Sequence, residues 1–155
     1  MRIERVSQIV GLLVRRAGWA SLLVFLLHVF ISRVLNGYIL YPPLDIPMHF
    51  FGGIAIAYFL SMCFAALPED AVSPAYRAAA ELVLVMSLTA TASVVWEFAE
   101  FTTDTLFGTH AQLGLEDTLG DMVLGIAGGA SYVLASWRRG TLGLVLPLEA
   151  GQGTE

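Results

Sequence analysis

The chain has 155 residues, enough for one domain, and 57% of them are hydrophobic against 14% charged. With a mean hydropathy of +0.74 it has too little polar surface to cover a water-soluble globule, so a polytopic membrane protein is expected in contact with a lipid bilayer. All 8 basic residues are Arg, the net charge is −5, and no basic patch carries interleaved aromatics, which excludes a nucleic-acid partner. The single cysteine, Cys63, excludes an intrachain disulfide and reads as a small buried hydrophobe.

In chain order, RIERVSQIVGLLVRR comes first and sets Ile3, Val6, Ile9, Val10, Leu13 and Val14 roughly on one face. It predicts an N-terminal amphipathic helix at the interface, or an extension of the first span. The first span follows over about 17–35 (AGWASLLVFLLHVFISRVL). No small-x-small cleavage site follows it, which argues against a cleaved signal peptide. A second span covers about 47–67 and holds no acid or arginine; the third covers about 76–106 and the fourth about 118–137. The connectors NGYILYPPLDIP, PEDAVSP and GTHAQLGLED carry the breakers that separate them. The tail over 140–155 is too short and too broken for a fifth span and is expected to be a loosely ordered end. The fold class expected is all-α, a single membrane domain built as a four-transmembrane-helix bundle.

Arginine placement predicts the orientation. Arg2, Arg5, Arg15 and Arg16 precede the first span, Arg77 follows the second, and Arg138 and Arg139 follow the fourth; only Arg33 stands near the opposite side. The positive-inside rule then puts both termini and the second loop in the cytoplasm.

With that topology three helices bring polar residues to one depth near the outer face. Asp45 and His49 open span two, four residues apart on one face. Glu97, Glu100 and Asp104 lie late in span three, within about 60° of arc. Glu97 follows Glu81 by roughly 24 Å of helix, most of the hydrocarbon thickness. Asp117 and Asp121 open span four. The same faces continue in small residues, Gly52 and Gly53, Ala90 and Ser93, Gly125 and Gly128, which let helix backbones approach and point the acids inward.

Six carboxylates in a low-dielectric region repel one another, by about 4 kcal/mol for two charges 4 Å apart at an effective dielectric of 20. Protons, an arginine or a divalent cation can relieve them, and Arg33 is the only arginine nearby. Carboxylates with one imidazole suit Mn, Fe, Zn or Mg, so the expected metal ligands are Asp45, His49, Glu97, Glu100, Asp104, Asp117 and Asp121. His110 and Gln112 in the third loop are candidates for further ligands or for substrate contact. The plainer reading makes Asp45 and Asp117 interfacial N-caps and lets Glu100 and Asp104 snorkel at a helix end. His28 reads as an interhelical hydrogen-bonding residue, and Trp19, Trp96 and Trp137 as packing or interfacial belt. Intramembrane acids are costly, which favours a functional site.

The stretches DIPMHFFGG, WEFAEFTTD and LEDTLGDMVLGIAGG, in this order, resemble the YjdF-like bacterial inner-membrane proteins and are more distantly similar to the VanZ-like family. The resemblance covers about 45–129 and matches Asp45, His49, Glu97, Glu100, Asp117 and Asp121 to characteristic polar positions. It implies a multi-pass protein of the bacterial cytoplasmic membrane and, through the VanZ-like group, a link to the cell envelope. This chain has four spans where YjdF-like proteins commonly have more, which leaves room for a homo-oligomer. The leading functional expectation is a metal site used for hydrolysis or transfer on a lipid or cell-envelope precursor. The alternatives are a proton- or ion-coupled transporter, which requires polar residues continuing to the cytoplasmic side, and a non-catalytic accessory subunit whose polar network sets helix register.

Overall fold

The computed structural model describes residues 10–145. It contains four long helices: α1 (Val10–Val34), α2 (Asp45–Ala65), α3 (Pro74–Phe107) and α4 (Leu115–Arg138). Each is long and apolar enough to cross a membrane, and there is no strand among the described residues. Of the expected amphipathic face, Val10, Leu13 and Val14 belong to α1, while Ile3, Val6 and Ile9 lie outside the described residues.

Local chemistry sets the helix ends. Pro74 stands at the first position of α3, where its missing N–H costs nothing. Gly108 ends α3 with φ 63°, a left-handed conformation in which its N–H reaches the Asp104 carbonyl at 2.9 Å. Asn36 (φ 49°) terminates α1 in the same way, and Leu35 N–H bonds the Phe30 carbonyl at 3.1 Å. With 34 residues α3 is about 51 Å long, well beyond the ~30 Å of a hydrocarbon core, so it projects from the bilayer.

α2 is the hub. It packs along α4, α3 and α1, and its closest neighbour is α4. Glycines explain that closeness: a Cβ on Gly53 would collide with the Gly125 backbone, and one on Gly128 with the Phe50 carbonyl. On the other flank of α4, Gly125 receives the Ser93 hydroxyl of α3, and Gly129 receives Thr89. Large apolar side chains such as Val83, Phe98 and Val123 instead face outward. The interior is correspondingly polar. One apolar cluster joins Ala57, Val85 and Val133, and Arg77, Glu81, Thr89, Glu97, Glu100 and Asp121 are buried as well.

Two segments differ from expectation. Arg77 is not a free loop charge: it lies in the first turn of α3, 4% exposed, and donates to the carbonyls of Phe64, Leu67 and Pro68 at 3.1–3.4 Å. It also covers the Phe64 ring, so it satisfies the end of α2 where carbonyls lack partners. The start of the tail is docked, because Gly143 N–H donates to Glu81 Oε2 (2.5 Å) and Leu142 packs against the core. Ser61 Oγ donates to the other Glu81 oxygen at 2.5 Å. Residues 146–155 lie outside the described region.

Candidate metal centre

The end of the bundle where α2 and α4 begin and α3 finishes carries the acids. His49 is at its centre, one turn into α2, with a side chain only 8% exposed. Asp45, one turn earlier on the same face, puts Oδ1 3.4 Å from His49 Nε2. Asp121, from the second turn of α4, brings Oδ2 to 3.7 Å from that nitrogen. On the other side of the ring Glu97 Oε1 is 3.9 Å from Nδ1. Glycines give the carboxylates access, since Gly53 against Gly125 lets α2 and α4 close on His49.

Two ligand groups therefore share one imidazole. Asp45, His49 and Asp121 offer atoms within 4.8 Å of one another, and so do His49, Glu97 and Glu100. Glu100 is buried and accepts a 2.8 Å bond from Trp96 Nε1, so it is not snorkelling. Glu97 is 3% exposed. Its Oε2 accepts from Gln112 Nε2 at 3.2 Å, and the same nitrogen reaches the Glu97 carbonyl at 3.0 Å. Glu97 Oε1 is buried without a hydrogen-bond partner among the described residues. An orphaned carboxylate oxygen in such a place calls for a proton or a cation.

Asp104 and Asp117 lie outside both groups and are occupied with the third loop. Asp104 Oδ1 accepts from the Thr109 hydroxyl (2.5 Å) and Ala111 N–H (2.9 Å), and Oδ2 from Gln112 N–H (2.9 Å). Asp117 reaches back from the first turn of α4 to Leu113 N–H at 3.0 Å, a helix-start role. Asp45 makes no cap hydrogen bond; it faces His49. Gln112 is thus the loop residue that touches the site, while His110 is exposed beside it. His28 bonds Tyr38 through Nδ1 (3.0 Å) and meets the edge of Trp96, 4.9 Å between centroids. Burial above all, then the negative Asp45 and Glu100, pushes the Tyr38 hydroxyl above its ordinary pKa and keeps it protonated.

Sequence reasoning missed Glu81, which is 1% exposed at the far end of α3. The signal available was its place on the Glu97–Ser93–Thr89 stripe, continued back in steps of four.

A family model described as "Predicted membrane protein (DUF2238)" matches residues 13–141. The chain belongs to this family. The YjdF-like resemblance is therefore borne out for DUF2238, while the VanZ-like similarity rests on the quoted motifs alone. No curated protein and no solved structure matches the chain. The DUF2238 match covers α1 from Leu13, all of α2, α3 and α4, and every member of the acidic cluster.

Proposed function

We propose that this DUF2238 protein holds a divalent cation through one ring nitrogen of His49, with Asp45 and Asp121 on the Nε2 side or Glu97 and Glu100 on the Nδ1 side, and uses it for hydrolysis or transfer on a lipid or cell-envelope precursor. The observation that carries the reading is Glu97 Oε1, buried, accepting no hydrogen bond in the hydrogen-bond geometry of the described residues and 3.9 Å from His49 Nδ1. Two atoms each about 2.1 Å from one ion stand roughly 3.0 Å apart at a right angle and about 3.4 Å apart at a tetrahedral angle. The spacings, 3.4 and 3.7 Å to Nε2 on one side of the ring and 3.9 Å to Nδ1 on the other, lie close to that range, so ligation at either nitrogen needs only small side-chain closure. Oxygen-rich ligands with one imidazole favour Mn, Fe, Zn or Mg. A cation there would polarise a phosphoryl or acyl oxygen, and a carboxylate of the group on the other side of His49 would take the proton of the attacking water.

In this reading the acidic end faces outward from a bacterial cytoplasmic membrane, as the arginines around α1 and at the end of α4 favour. Metal analysis of the detergent-purified protein is the test. Wild type should retain stoichiometric metal, and the variant that removes a ligand of the occupied group, Glu97→Gln on the Nδ1 side or Asp121→Asn on the Nε2 side, should lose it. Wild type free of metal both as isolated and after resupply ends the reading.

One observation favours ion-coupled transport as a second reading. Buried polar groups continue beyond Glu97 through Thr89 and Ser136 to Glu81. The fully buried Val85 separates Thr89 from Glu81 on their helix, so transport requires that seam to open. Proton flux into proteoliposomes that disappears in Glu81→Gln would favour this reading over the first.

A further inference from the structure

Two cavities lie along the seam between α1 and α3, on either side of a partition formed by Phe25, His28 and Trp96. α1 leans on α2 and reaches α3 through these rings: Phe25 meets the edge of Trp96 at 6.3 Å and His28 meets it at 4.9 Å. The first cavity, about 130 Å³, runs inward between apolar groups such as Val24, Met48, Ile56 and Ala92, and it touches His49. The second, about 690 Å³, opens at the acidic end and falls in the size range of small-molecule sites. Its walls carry Arg33, Asn36, Tyr38 and His110, and its floor carries Asp45 and Glu100. Arg33 makes no ion pair and no side-chain hydrogen bond among the described residues.

We propose that this seam is a lateral entrance for a phosphate-bearing amphiphile, which sets its head between Arg33 and the acidic cluster and its chain against Phe25 and Trp96. The proposal rests on the metal reading above, because Asp45 and Glu100 alone would repel a phosphate. A bound cation inverts that local charge. The Arg33 guanidinium then supplies a second, planar set of donors suited to phosphate oxygens. The polarity sequence along the seam does the rest. Charged and hydrogen-bonding groups lie at the end and apolar groups deeper, as an amphiphile entering from the bilayer demands. A small hydrophilic phosphate would leave the inner cavity unfilled.

The test uses Trp96 as reporter in a Trp19→Phe/Trp137→Phe background, both replaced residues being more than half exposed. The metal-loaded protein, in an uncharged maltoside detergent, is titrated with 12-bromododecyl phosphate, whose bromine quenches a tryptophan it touches. Saturable quenching is expected, weakened about tenfold or more in Arg33→Gln, the scale of a lost charge-assisted contact, and partly restored in Arg33→Lys. Inorganic phosphate should compete at least about tenfold more weakly, since it lacks the chain contacts. Equal competition by inorganic phosphate, or stronger quenching by 12-bromododecyl trimethylammonium, overturns the proposal. Bound metal without dodecyl phosphate binding overturns the amphiphile and leaves the metal reading intact. Binding that depends on Arg33 in a protein shown to take up no metal overturns the metal reading and, with it, the cation-held head proposed here.

Discussion

Both ring nitrogens of His49 stand near carboxylates, and Gln112 holds one of those carboxylates in place. Its amide ties the side chain and backbone of Glu97 together, leaving Oε1 as the free oxygen. Gln112→Ala should therefore weaken metal affinity by roughly 10- to 100-fold while the helices stay folded, measurable by competition with a chelator of known affinity. Glu81 has a different duty. It accepts from Ser61 on α2 and from Gly143 beyond α4, tying three parts of the chain together. Glu81→Ala leaves both donors without their acceptor and should cost about 1–3 kcal/mol, read as a lowered unfolding midpoint in detergent. Unchanged stability in that variant would remove Glu81 from the list of structural ties.

The α2–α4 pair shows why small residues matter more than hydrophobic ones in this bundle. Lipid is as apolar as any leucine, so helices gain by close fit rather than by leaving water. Gly53 and Gly128 are the two positions where a side-chain carbon would meet the opposing backbone. Gly128→Val should push α4 away from Phe50, destabilise the fold by about 1–3 kcal/mol or more, and draw Asp121 away from His49. Loss of metal together with a lowered unfolding midpoint is the expected pair of results. Gly120→Ala, where the added carbon meets nothing within 4 Å beyond its own stretch of helix, is the control that should lower neither.

Four helices with polar interiors and apolar exteriors make a molecule arranged for lipid, and its two ends differ. One gathers Asp45, His49, Glu97, Glu100 and Asp121; the other buries Arg77 and Glu81 and docks the chain after α4. Because Arg77 is spent on the α2 carbonyls, the charge bias rests on Arg2, Arg5, Arg15 and Arg16 toward the start of the chain and on Arg138 and Arg139. That bias predicts that a cysteine introduced by His110→Cys, in a Cys63→Ser background, reacts with an impermeant maleimide applied to intact spheroplasts. Labelling only after the cytoplasmic side is opened would reverse the orientation.

Composition and pattern were enough for the four membrane helices, because span length and apolarity are properties of contiguous sequence. They also brought Asp45, His49, Glu97, Glu100 and Asp121 to one depth, since short connectors between spans leave little choice of end. Depth is not distance, however, and what separates Asp104 and Asp117 from the other five is decided in three dimensions. Both are within a turn or two of the cluster along their helices, yet the third loop folds back and offers its N–H groups to them. The role of Gln112 arises from the same fold-back, fifteen residues from its partner Glu97. Glu81 and Arg77 looked like ordinary charges near a span end, and only the packing of α2 and the returning chain made them interior groups. Helix periodicity assigns a residue to a face; which backbone amides and neighbouring helices meet that face depends on contacts remote in sequence.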